Sequence, residues 1–77
     1  MRVMVDSEGA RWDVIVGRES WGSFFAIFVP RRGAAPPRQT LLQAESNETA
    51  TRELEALDDD GLIRLFNASQ PKDIGES

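Results

Sequence analysis

A chain of 77 residues that contains neither cysteine nor histidine is closed to several kinds of chemistry from the start. Without cysteine there is no disulfide to staple a small fold and no thiolate for redox work or metal binding. Without histidine the commonest general base and the commonest zinc ligand are both missing. No apolar run approaches the ~20 residues that a membrane span needs. Lysine is nearly absent too: Lys72 stands alone against eight arginines, a bias to which we attach no function. The pattern is strand-like from the second residue with no signal-peptide pattern, so a cytoplasmic protein with no membrane association is expected.

What remains is ordinary for a globular domain. Hydrophobic residues make up 40% of the chain, enough for a core, so the sequence is not that of a disordered segment. The length allows one domain of modest stability. Net charge is −4, unevenly spread. Residues 1–43 hold six arginines against Asp6, Glu8, Asp13 and Glu19, giving +2, while residues 44–77 hold three cations against nine acids, giving −6. Nucleic-acid binding leans on Lys and Arg that neutralise phosphates, and this balance argues against it.

The strongest pattern lies between Arg11 and Pro30. Trp12, Val14 and Val16 alternate with Arg11, Asp13 and Ile15, and Phe24, Ala26 and Phe28 alternate with Phe25, Ile27 and Val29. A period of two places alternate side chains on opposite faces of a strand. The second stretch is apolar on both faces, which predicts a central strand. A short first strand carries Val3 and Val5 and turns at Asp6-Ser7-Glu8-Gly9. A fourth strand is expected from Arg38 to about Ala44, polar enough for an edge, after a loop holding Gly33, Pro36 and Pro37. Ser46 or Asn47 can cap a helix with its apolar stripe at Ala50, Leu54 and Leu57. Asp58 and Gly61 would fall on that stripe, so the helix stops or kinks there. Asp58 or Asp59 then caps a second helix bearing Leu62, Ile63, Leu65 and Phe66, ended by Gln70-Pro71.

The predicted fold is α+β: a four-stranded antiparallel meander followed by one broken or two short C-terminal helices packed on one face. It forms one domain over residues 1–71, with a flexible tail at 72–77. The expected core is Val3, Val5, Trp12, Val14, Val16, Phe24, Ala26, Phe28, Leu41, Ala50, Leu54, Leu57, Leu62, Leu65 and Phe66. Ile15, Phe25, Ile27 and Val29 fall on the opposite face. They need a cover: closure into a barrel, a second copy, or another protein.

Candidate sites are few. In Asp58-Asp59-Asp60-Gly61 the acids precede a glycine as in a calcium loop, but the first and twelfth loop positions would be Ala56 and Asn67, neither a usual ligand. Helix capping explains the triplet better. Catalysis would rest on Ser, Thr or Lys72 with a carboxylate base. Glu53 and Glu55 point apart on a helix, and Asp13 pairs more simply with an arginine of a neighbouring strand. Trp12 belongs to the core, where its N–H seeks a partner. Trp21, in a turn, is the best candidate for a recognition residue. Arg31, Arg32 and Arg38 flank the proline-rich loop and can grip a phosphate or an acidic peptide, or simply discourage sheet-to-sheet aggregation. The expectation is a non-enzymatic interaction or regulatory module that binds a protein partner or itself as a homodimer. Its partner-binding residues would be Trp21, Phe25, Ile27, Val29, Arg31, Arg32 and Arg38, with no cofactor and no metal. A nucleic-acid adaptor using the loop arginines and a small carboxylate enzyme are the alternatives.

Overall fold

A computed structural model of the protein describes residues 2–18, 22–33 and 35–71. Trp21, Lys72 and the expected tail at 72–77 lie outside the described residues. The strands are β1 (Arg2–Val5), β2 (Arg11–Arg18), β3 (Phe24–Pro30) and β4 (Arg38–Leu41). Two helices follow, α1 (Asn47–Ala56) and α2 (Asp59–Asn67), and then a two-residue strand, β5 (Gln70–Pro71). All neighbours pair antiparallel in the order β1-β2-β3-β4-β5. The sheet is thus an open meander with β1 and β5 at its edges, and the barrel alternative falls. The fifth strand, which the alternation of the sequence does not reveal, pairs Gln70 with Gln39 and Pro71 with Arg38.

The first hairpin is built around one carboxylate. Asp6 accepts the backbone N–H of Glu8 and of Ala10 on Oδ1, both at 2.9 Å, and the indole N–H of Trp12 on Oδ2 at 3.0 Å. The turn closes through Gly9, whose φ of +84° is natural only to glycine. These bonds hold the Asp6 carboxyl below its ordinary pKa, the indole bond having the largest effect and the Ala10 amide the next, against an opposing effect of desolvation.

Register then decides which face each residue takes. Met4 lies opposite Trp12 and Arg2 opposite Val14, so Met4 shares the buried face of β2. Val3 and Val5 face the other way, opposite Asp13 and Arg11, and are 40% and 48% exposed. The expected core position of these two valines is therefore corrected in favour of Met4, because a one-residue offset in pairing turns every side chain over. Leu41 is corrected for the same reason. It lies opposite Phe25 and is 53% exposed, while Leu42, whose N–H donates to the Phe24 carbonyl at 2.8 Å, turns inward and is buried. The fourth strand ends at Leu41, short of the expected Ala44.

The inner face joins Met4, Trp12, Val14, Phe24, Ala26, Phe28 and Leu42 to Ala50, Leu54 and Leu62 of the helices. Val16, Leu57, Leu65 and Phe66 are partly buried against this core. The Phe66 ring meets Trp12 at 4.8 Å and Phe28 edge-on at 5.2 Å between centroids, which ties α2 to the two central strands. Ser46 caps α1 through a reciprocal pair of bonds with Thr49, and Asp58 caps α2 by accepting the Gly61 N–H at 2.7 Å. Arg2 reaches from β1 across to the end of α1, donating to the Leu54 carbonyl at 3.0 Å and to the Leu57 carbonyl. A cation there satisfies carbonyls that lack a helical partner and complements the dipole. No described helix is long and apolar enough to cross a membrane.

Arg2→Ala should lower stability by about 1–3 kcal/mol, the usual worth of hydrogen bonds from a charged group, read as a fall in thermal midpoint. Asp6→Ala should destabilise at neutral pH. A carboxyl with a depressed folded-state pKa contributes fully above the unfolded value of about 3.9, and the contribution is lost as pH falls through the folded value. Urea titrations at pH 7 and in steps below pH 4 should therefore show the gap between wild type and Asp6→Ala closing on acidification.

Candidate binding surface

Both helices lie on the inner face, so the outer face has no cover among the described residues. Its centre is the cross-strand pair Ile15 and Ile27. Phe25 and Val29 flank Ile27 along β3, and Val3, Val5 and Leu41 extend the patch onto the neighbouring strands. Ile15 is 38% exposed, while Phe25, Ile27 and Val29 are half-buried by one another and by their neighbours. Gly17 makes part of this packing possible: a Cβ there would stand 2.2 Å from Cδ1 of Ile27, which leans into the space instead.

One end of the face is charged. Arg11 and Asp13 of β2 lie on the outer face opposite Val5 and Val3. Beyond Pro30 the pairing continues, because the Arg31 N–H donates to the Arg11 carbonyl at 3.0 Å. The Arg31 guanidinium turns to Asp13, with Nε 2.7 Å from Oδ1. Around these groups is a half-open hollow of about 810 Å³, lined by Arg11, Asp13, Arg31 and Arg32 with Gly9, Ala10 and Pro30.

The structure thus gathers Phe25, Ile27, Val29, Arg31 and Arg32 at one surface and separates Arg38 from them. Arg38 lies opposite Phe28, and so on the inner face. Its Nε donates to Ser69 Oγ at 2.8 Å, its Nη2 to the Ser69 carbonyl at 2.6 Å, and its guanidinium stacks 5.5 Å from the Phe66 ring centroid. These contacts tie β4 to the end of α2 and hold the Arg38 guanidinium on the inner face, away from Arg31 and Arg32. Arg11 takes its place in the arginine group. Sequence reasoning missed it because Arg11 is 20 positions from Arg31; the hairpin pairing that ends at Trp12 and Pro30 was the signal that could have found it. Asp13 has the arginine partner that its place in a strand called for. The acids at 58–60 contribute a helix cap, and among the described residues no group of three potential ligands could hold a metal ion.

No known family model, curated protein or solved structure matches this chain, so the meaning of the outer face rests on its own geometry.

Proposed function

We propose that the chain is a non-enzymatic interaction module that binds protein through the outer face of its sheet, and that the protein bound there is a second copy of itself. The observation that carries this reading is the uncovered apolar face centred on Ile15 and Ile27. Monomers tend to avoid large contiguous exposed apolar patches, and the helices are already committed to the other side. The molecule measures 34 × 32 × 18 Å, large enough to offer the ~800 Å² per partner of a standard interface. Two such faces stacked about 10 Å apart make an ordinary sandwich.

Charge supports the self-pairing and gives it a direction. Among the described residues the charged side chains of the face, Arg11, Asp13, Arg31 and Arg32, gather toward one end. Copies stacked with parallel strands would bring six arginines together, whereas antiparallel stacking sends the two clusters to opposite ends. A binding rather than a catalytic role is supported by the same surface, whose one carboxylate among the described residues, Asp13, is tied to Arg31. The inward turn of Arg38 leaves the loop with two arginines to offer, which weakens the nucleic-acid reading.

Sedimentation of the wild type over a range of concentrations should show a monomer–dimer equilibrium. Ile27→Glu should weaken it at least ~30-fold, as for a central hot spot, while its circular dichroism stays native. A wild type that is monomeric at every concentration, or an Ile27→Glu protein that still pairs, overturns the proposal. An introduced cysteine at Ile27 gives a second measure in a chain with no other thiol: it should cross-link across the two-fold, and failure to do so counts against a central Ile27.

A further inference from the structure

Arg11 and Arg31 form a pair that folding alone would avoid. The backbone bond from Arg31, one residue past β3, to Arg11 sets them opposite each other as cross-strand neighbours, where like charges destabilise. Asp13, one pleat along on the same face, draws off Arg31 and leaves the rest of the problem standing. The side chains of Arg11 and Arg32 have no ion pair or hydrogen bond among the described residues. Asp6 and Glu8 belong to the adjoining turn and do not line the hollow, and Asp6 has its oxygens engaged by Trp12, Glu8 and Ala10. The hollow therefore has three guanidiniums against one carboxylate, a local excess of +2 in a chain of net charge −4.

We propose that this hollow binds a phosphate monoester. A monoester is a dianion near neutral pH and matches the excess charge, which a single carboxylate would only half neutralise. Guanidinium forks suit phosphate oxygens in paired, bidentate fashion. Arg31, fixed by Asp13 and by its backbone bond, is a preset donor, while Arg11 and Arg32 are free to close on the ligand. A volume of about 810 Å³ exceeds a phosphate group and leaves room for the organic body it is carried on. The site stands independently of the self-pairing proposed above, since antiparallel stacking leaves a hollow at each end of the pair.

The probe is glycerol 3-phosphate, followed by backbone amide shifts, with inorganic phosphate, acetate and chloride compared at matched ionic strength. Saturable shifts at Arg11, Asp13, Arg31 and Arg32 are expected, tighter for the ester than for inorganic phosphate. Arg11→Gln and Arg32→Gln should each weaken binding about tenfold, and Arg11→Gln should keep or raise the thermal midpoint in chloride buffer because it removes a like-charge pair. The chain has no histidine or cysteine to titrate between pH 5 and pH 7.5. Binding should therefore follow the ligand's second ionisation near pH 6 and be about tenfold weaker at pH 5. Equal shifts with acetate or chloride, equal affinity for inorganic phosphate, or undiminished binding in both variants overturns the proposal. So does a fall in midpoint on Arg11→Gln, which would make that arginine structural. Tighter, steeply salt-dependent binding of a single-stranded oligonucleotide would transfer the site to nucleic acid.

Discussion

The bond between the Trp12 indole and Asp6 is the constraint on which the architecture turns. It joins the largest side chain of the inner face to the turn that returns the chain from β1 to β2. With the turn so fixed, Met4 must lie opposite Trp12 and the two valines must face outward. Trp12 in turn presents its ring to Phe66, which also meets Phe28, so the placement of α2 depends on the same residue. A buried indole needs a hydrogen-bond acceptor, and here that acceptor is also the organiser of the hairpin.

The molecule divides its charges as it divides its faces. Four acids of the helical half have local structural work. Glu48 lies in the first turn of α1, Asp59 and Asp60 lie in the first turn of α2, and Asp58 caps it. Such positions favour carboxylates through the helix dipole and need no partner to explain them. The arginines divide differently. Arg2 and Arg38 are absorbed into the fold, one at a helix end and the other against Ser69 and Phe66. Arg11 and Arg32 have no comparable structural task, and that contrast with Arg2 and Arg38 singles them out.

Much of the fold is legible in the sequence wherever the signal is local. The hairpins, the break between the helices at Asp58 and the capping residues are all set by a few neighbouring residues, and the structure has them where the sequence places them. The alternation of β2 and β3 reveals that two apolar sets exist and which residues belong to each. What alternation does not contain is phase relative to the partner strand. In Arg2-Val3-Met4-Val5 either parity presents apolar side chains, so the choice between Met4 and the valines is made by pairing across the turn. Leu41 and Leu42 pose the same ambiguity, as does the direction taken by Arg38. The arginine cluster was half legible: Arg31 and Arg32 adjoin the loop, but Arg11 joins them only through a cross-strand register. Trp21, expected as a recognition residue, lies outside the described residues.

The reach of Arg2 to the carbonyls at the end of α1 has a consequence for how the molecule comes apart. It ties an edge strand to residues more than fifty positions away, in a chain whose other sheet contacts run mainly between consecutive strands. An edge strand of four residues would ordinarily fray alone. Clamped to the junction between α1 and α2, β1 can leave the sheet only by giving up contacts with the helical layer as well. Opening of β1 therefore costs the Arg2 bonds as well as the ladder to β2, which protects an otherwise fraying edge, while the helices keep their own seat on β2 and β3 through Phe66, Trp12 and Phe28.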